Sequence, residues 1–476
     1  MISIDILPDD VLLAIFDFRV SASDDPFSKE GVERWWQTLV HVCRRWRSLV
    51  FGSPRHLKLR LFCAPETPAT YLDVWPPLPL AIGNHGSITE VTEGSDRVPM
   101  DNIVAVLKQS NRLCQVELLD LASSPMEKVL AAMQVPFPEL TELCFSANDD
   151  TAAVPDSFLG GSAPLLRYLS LRHIPFPGLP KLLMSATLLF RLDLFDIPHS
   201  GYISPEAMLT ALSVLTSLDY LSLEFQSPRS CPDQARRRLP PTTRTVLPVL
   251  RWFSFKGASE YLEDLVASID APRLWVFYIV FFNDIVFDMP QLTQFISRSD
   301  MPTFKKPGNS RIRFDDSFAS IRLSPRTSPS SHYSFLHVET LCRGLDWQLS
   351  SLEQICSSSL PPVSTLENLY IYRNDSFLQP DKQDNIEKSL WLELLQPFTD
   401  VKNLHLSKEL APRIESALQE LVEGRAAEVL PALQNIFLEE LRPSGRIQEG
   451  FRQFAATRQV TGHPIAVSHW YRDLTE

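Results

Sequence analysis

The feature that most limits how this chain can fold is a phrase, P-x-L-x-x-L-x-L with apolar variants, that returns along nearly its whole length. It reads PELTELCF (138–145), PLLRYLSL (164–171), PVLRWFSF (248–255), PRLWVFYI (272–279) and PALQNIFL (431–438). Without the proline it reads LCQVEL (113–118), LFRLDL (189–194), LDYLSL (218–223), LENLYI (366–371) and VKNLHL (401–406). The copies start at 113, 140, 166, 189, 218, 250, 274, 366, 401 and 433, so the steps are 23–35 residues apart from one of 92. L-x-L alternates with period two, which sends both leucines to one face of a strand and the middle residue to the other. Between copies, segments such as PEAMLTALSVLTS (205–217) and RIESALQELVEG (413–424) space their apolar residues by three and four and read as helices.

A strand and a helix repeating once per turn cannot cover their own apolar face, and stacking on neighbouring turns does so. The arrangement predicted is a curved parallel sheet with helices on the convex side. It resembles the leucine-rich-repeat family in an irregular form, lacking the regular asparagine after the phrase. The 92-residue step holds PQLTQF (290–295), which begins the phrase without finishing it. After it come RIRF (311–314), SIRL (320–323) and FLHVETL (335–341), each alternating like a strand. Two or three degraded repeats are expected there, with FKKPGNSR (304–311) and SPRTSPSSHYS (324–334) as loops.

At 476 residues the chain exceeds what one core serves, so a small and a large unit are expected. Lys and Arg number 45 against 57 Asp and Glu, a net charge of −12 that opposes a general attraction to nucleic acid. Proline is abundant, 38 residues against 16 glycines, so elements are cut short by stiff corners. The seven cysteines form no C-x-x-C pair and suit a reducing compartment. The start, MISIDILPDD, is not a secretory signal. The apolar run LWVFYIVFF (274–282) is about half of what a bilayer crossing needs, so no membrane role is expected. Asn374-Asp375-Ser376 is a formal glycosylation acceptor without meaning in a cytosolic or nuclear protein.

The N-terminal region has a different texture. ILPDDVLLAIFDF (6–18) places Pro8 at a helix start and Asp9 and Asp10 where the dipole favours acids. It then spaces Leu7, Val11, Leu12, Ile15 and Phe16 along one stripe. Trp35, Leu39, Val42, Cys43, Trp46, Leu49 and Val50 continue the rhythm in a second helix, with Arg44, Arg45 and Arg47 on its other side. A unit of about 50 residues is marginal alone, so its apolar excess is expected to serve a partner. LPDDVLLAIF followed by HVCRRWRSLV resembles the F-box family over roughly residues 4–56, with a connection, Val20–Gly31, that is longer than usual and reads as an extended loop.

That resemblance implies docking on the Skp-type adaptor of SCF (cullin–RING) ubiquitin ligases. The adaptor-facing positions carry over to Leu7, Pro8, Leu12, Ile15, Val42, Cys43 and Trp46. Residues 1–56 are thus the expected adaptor-docking domain and 57–476 the leucine-rich-repeat-like substrate-recognition domain of an α/β protein. Positions three and five of each phrase face away from the helices. They supply a candidate substrate face of Tyr168, Ser170, Asp193, Tyr220, Trp252, Tyr278, Tyr370 and His405, with Glu142, Asn368 and Asn403 beside them. The bland alternative is that the aromatics merely stack between strands.

No nucleotide-binding, zinc-protease, hydrolase-elbow or EF-hand motif occurs, and His41 with Cys43 is one pair where a structural zinc needs four ligands. No catalytic residue, metal or cofactor is therefore expected. Arg236, Arg237 and Arg238 form the most basic stretch, readable as phosphate capture or as a solvated loop, and Ser324-Pro325 and Ser328-Pro329 as phosphorylation sites. The function expected is substrate recognition for an SCF-type ligase in the cytoplasm or nucleus, with an unknown substrate protein. The alternative is a non-catalytic scaffold that binds the adaptor without directing ubiquitylation.

Overall fold

Every copy of the L-x-L phrase forms a strand, and its leucines form the core. In the computed structural model the described residues are 6–21, 35–54, 56–57, 59–63, 70, 72, 76–84, 100–149, 153–227, 244–282, 289–305, 307–325, 334–358, 363–373, 388–421, 428–439, 446–460 and 462–470. The expected Val20–Gly31 loop falls almost wholly outside them, and so do Arg236–Arg238, Ser328-Pro329 and Asn374–Ser376. The chain divides into two compact units, Met1–Gly201 and Tyr202–Glu476, a boundary that falls inside the repeats.

The first unit opens with helices α1 (Asp9–Ser21), α2 (Trp35–Val40) and α3 (Arg44–Gly52). Its repeats are β1 (Leu61–Cys63), β2 (Leu80–Gly83), α4 (Met100–Leu107), β3 (Leu113–Leu121), α5 (Ser123–Ala132), β4 (Glu142–Ala147), β5 (Tyr168–Arg172), α6 (Leu179–Leu183) and β6 (Arg191–Ile197). All five strand pairs, β1·β2 to β5·β6, are parallel. Leu143, Leu169 and Leu192 stand opposite one another across β4, β5 and β6, all fully buried. Burying each such leucine contributes about 1.5–3 kcal/mol. Proline ends the preceding segment and the next carbonyls extend the ladder: Arg167 and Tyr168 both donate N–H to Thr141 O, at 2.8 and 3.1 Å.

The second unit contains α7 (Pro205–Leu212), β7 (Tyr220–Phe225), β8 (Thr245–Val246), β9 (Trp252–Gly257), α8 (Ser259–Ala267), β10 (Ile269–Asp270), β11 (Val276–Phe281), α9 (Pro290–Arg298) and α10 (Pro302–Lys305). It continues through β12 (Pro307–Phe314), β13 (Ala319–Pro325), β14 (Phe335–Thr340), α11 (Leu345–Ser358), β15 (Asn368–Arg373), α12 (Lys388–Leu395), β16 (Asn403–Leu406), α13 (Ala411–Gln419), β17 (Asn435–Glu439), α14 (Arg446–Val460) and β18 (Ala466–Trp470). Its main sheet runs β7-β9-β11-β14-β13-β12-β15-β16-β17-β18, and β8 pairs with β10 separately. LWVFYIVFF supplies β11, flanked by β9 and β14, in which every residue but the half-buried Tyr278 is buried.

Here the parallel sheet expected from the repeat is interrupted. β13 runs antiparallel to both β12 and β14, while β12 is parallel to β15 and β14 to β11. The chain steps ahead to β12, folds back through β13 to β14 beside β11, and then crosses over to β15. The predicted loop FKKPGNSR lies largely in β12, and Ser324-Pro325 ends β13 half-buried. PQLTQF is helical, because Pro290 starts α9 and Leu292, Phe295 and Ile296 bury at helical spacing. The rest of the predicted architecture stands: an α/β repeat sheet with helices packed on its leucine face.

Candidate functional site

Helix α1 begins where the sequence marks it. Pro8 supplies the carbonyl that accepts the first helical N–H, from Leu12 at 3.1 Å, and Asp9 and Asp10 occupy the first turn. At about 100° per residue, Val11, Ile15 and Phe18 fall within about 60° of one another, and Leu12 and Phe16 lie about 100° to one side. The apolar residues of this helix therefore form two stripes. Leu12 and Phe16 are buried, and the Phe16 ring meets Trp46 edge to face at 4.9 Å. Val11, Ile15 and Phe18 are exposed, Ile15 at 47% and Phe18 at 78%.

The second half of the motif is two helices where one was expected. Val42 closes a turn by donating N–H to Leu39 O at 3.2 Å, and Cys43 is extended (φ −156°, ψ 170°) as the N-cap of α3. Its Sγ accepts the Trp46 N–H at 3.5 Å. Cys43 is thus a cap as well as a half-exposed surface group, and Val42 projects from the corner at 59% exposure. Trp36, Leu39, Val40 and Val50 fill the interior, with Trp36 edge-on to Phe51 at 6.0 Å.

Two of the three arginines bind inward instead of only facing solvent. Arg45 donates from Nε and Nη2 to Asp9 Oδ1 (2.9 and 2.6 Å) and from Nη2 to Leu7 O at 2.5 Å, tying α3 to the start of α1. Arg47 Nε donates to Val40 O at 2.9 Å across the break between α2 and α3.

Among the residues inferred to face an adaptor, Pro8, Ile15 and Val42 are exposed, and Leu7, Cys43 and Trp46 are half-buried. Leu12 is the correction: at 0% exposure it belongs to the interior and offers no surface. Val11 and Phe18 were missed as surface groups, although their i, i+4, i+7 spacing with Ile15 carries the signal.

Residues 4–60 match the family model described as F-box-like. The F-box-like segment therefore spans all three N-terminal helices and the backbone just before β1. No curated protein matches the chain. Among solved structures, the leucine-rich repeat-containing protein LegL7 from Legionella pneumophila aligns over 83% of this chain and 98% of its own, at 12% identity and a TM-score of 0.25.

Beyond the F-box-like segment, the repeat face turns out to be packed against itself. In the first unit Arg191 lies over the Tyr168 ring at 5.4 Å and donates from Nε to Asp193 Oδ2 at 2.7 Å. Asp193 is fully buried and Ser170 nearly so, so neither presents a side chain to a partner. Burial pushes the Asp193 carboxyl above its ordinary value, opposed by the charge and hydrogen bond of Arg191. Burial also pushes the Tyr168 phenol up to about 12 and the Cys144 thiol up to about 11. Glu142, beside them, accepts from Arg60 Nη2 at 3.0 Å.

In the second unit the remaining rings stack strand to strand. Tyr220 lies on Trp252 at 5.3 Å, Tyr278 on His337 at 4.5 Å, and Tyr370, His405 and Phe437 form a pile at 4.2 and 4.4 Å. Trp470 stands edge-on to His405 at 5.2 Å. Burial pushes His405 down to about 4, which keeps the ring neutral. All six predicted rings are half-buried, five of them stacked on a ring of a neighbouring strand and Tyr168 covered by Arg191. One row over, Asn309, Asn368, Asn403 and Asn435 form an amide ladder, in which Asn368, Asn403 and Asn435 each donate from Nδ2 to the preceding Oδ1 at 2.7–2.8 Å. Asn368 and Asn403 lie on the face the phrase predicts, and the ladder bonds them to each other. The repeated N-[LI]-x-[IL] of LENLYI, VKNLHL and LQNIFL is its sequence trace.

Among the described residues, no group of three or more His, Cys, Asp or Glu could hold a metal ion, and no helix is long and apolar enough to cross a membrane.

Proposed function

We propose that the F-box-like segment docks a Skp-type adaptor, and through it a cullin, so that the chain serves as the substrate-recognition subunit of an SCF-type ubiquitin ligase in the cytoplasm or nucleus. The observation that carries this reading is the stripe Val11, Ile15 and Phe18, exposed while Leu12, Phe16 and Trp36 are buried among the described residues. Leu12, Phe16 and Trp36 already satisfy the needs of the small helical fold, so the second stripe serves something outside it. On this reading residues 57–476 hold a substrate protein on the repeat sheet. The chain performs no bond chemistry and acts by raising the local concentration of substrate near a charged conjugating enzyme.

The test compares the whole chain with a 57–476 form by affinity purification. Adaptor and cullin should co-purify with the whole chain alone, and at least one bound protein should accumulate when residues 1–56 are deleted. Adaptor binding without cullin, or with no partner accumulating, would support the scaffold reading instead.

A further inference from the structure

Two side-chain rows of the second unit, both on the face away from the helices, stop at the same strand. From β15 to β17 the phrase carries an asparagine and, two residues on, a ring: Asn368 with Tyr370, Asn403 with His405, Asn435 with Phe437. The register sets asparagine beside asparagine and ring beside ring. On β18, the last strand of the sheet among the described residues, it puts Ala466 next to Asn435 and Ser468 next to Phe437. Alanine cannot continue an amide ladder, and serine has no ring to add to the pile. Ala466 and Ser468 are both exposed, whereas Asn435 and Phe437 are half-buried.

Each row therefore ends on a group that lacks its next neighbour. Phe437 has His405 on one face at 4.4 Å, and among the described residues no ring meets the other. Asn435 donates to Asn403 Oδ1 at 2.8 Å, and its own Oδ1 accepts from no described residue. Trp470, two residues beyond Ser468, does not fill the gap. It leans back over the pile, edge-on to His405 at 5.2 Å and to Tyr370 at 6.0 Å, with Nε1 donating to Leu406 O at 3.4 Å. Neighbouring strands lie about 4.8 Å apart, a spacing at which flat rings stack from turn to turn, so the space above Ser468 accepts one more ring. Alternate side chains of an extended peptide lie about 6.5 Å apart, the same step that separates asparagine from ring along β17.

We propose that this ledge at the β18 end of the repeat sheet binds an extended peptide carrying an asparagine or glutamine and an aromatic residue at alternate positions, the pair that β18 lacks. The guest ring stacks on Phe437 above Ser468, and the guest carboxamide donates to Asn435 Oδ1 above Ala466. As the identity of a substrate segment this rests on the substrate-holding reading of residues 57–476; as a binding site it involves none of the N-terminal helices.

The probe is a fluorescein-labelled peptide with Asn and Trp at alternate positions among Ser and Gly, titrated against the full chain by fluorescence anisotropy. No adaptor is present, so failure here and failure of adaptor docking are read separately. A peptide with Leu for Trp, a peptide with Ala for Asn, and N-acetyltryptophanamide as a competitor complete the set. The first peptide should bind, and each control peptide should bind about three- to tenfold more weakly, the worth of one ring pair or one hydrogen bond. Ser468→Phe, which fills the vacant place from within the chain, should weaken binding about tenfold or more. Phe437→Leu, which removes the stacking face, should weaken it about three- to tenfold. Unchanged circular dichroism secures both comparisons. No binding of the first peptide, equal binding of either control peptide, equal affinity of wild type and Ser468→Phe, or displacement by N-acetyltryptophanamide as effective as by unlabelled peptide would overturn the proposal.

Discussion

Phe16 and Trp46 meet with ring centroids 4.9 Å apart and planes at 62°, joining the two halves of the F-box-like segment through its interior. This contact separates residues that hold the helices together from those left for a partner. Phe16→Ala should cost about 3–5 kcal/mol, the usual loss for a buried phenylalanine. Ile15→Ala and Phe18→Ala, on the exposed stripe, should change stability by no more than about 0.5 kcal/mol. Hydrogen exchange of the backbone in α1 and α3 reads this directly, with protection lost only in the Phe16 variant.

Cys43 caps α3 with a sulfur atom, a weak acceptor. Cys43→Ser places a better acceptor at the same N-cap and should raise the protection of the Trp46 amide, by about 0.5–1 kcal/mol in local stability. Cys43→Ala should lower it. Equal protection in both variants would show that the sulfur contributes nothing.

His405 gives the second unit a pH dependence of known sign. Its folded value of about 4 lies below the ordinary 6.5, so the unfolded chain takes up a proton before the native one does. The resulting stability is complete above pH 6.5 and is lost as pH falls towards 4, by at most about 3 kcal/mol. His405→Phe, which keeps the stack with Tyr370 and Phe437, should flatten that part of the profile in urea unfolding followed by tryptophan fluorescence.

Asn403 both donates and accepts within the amide ladder, whereas Asn435, among the described residues, ends it as a donor. Asn403→Ala should cost about 2 kcal/mol because it strands groups on both sides, and Asn435→Ala about half that. The same urea experiment ranks the two.

The strands were legible because L-x-L alternation is a local signal: RIRF, SIRL and FLHVET are all strands, as their pattern requires. Their direction was not, since alternation reads the same in a parallel and an antiparallel neighbour. PQLTQF misled because its leading proline and first leucine fit both the strand phrase and a helix start. In α1 the apolar residues of both stripes fit one amphipathic pattern, so Leu12 and Ile15 were indistinguishable until the packing of Phe16 on Trp46 fixed which stripe turned inward. Cys43 looked like one more apolar position because nothing local distinguishes a cap from a buried thiol. On the repeat face the phrase places the rings on one side of the sheet, but their stacking depends on which strand lies next to which, and that is a property of the assembled sheet.

The most direct test of the docking account is the affinity of the purified full chain for a purified Skp-type adaptor, measured by calorimetry for wild type, Ile15→Asp with Phe18→Asp, and Arg44→Ala as a surface control. The account predicts loss of at least about 2 kcal/mol, roughly thirtyfold, in the double variant with unchanged circular dichroism and no change in the control. Wild-type affinity in the double variant would contradict it.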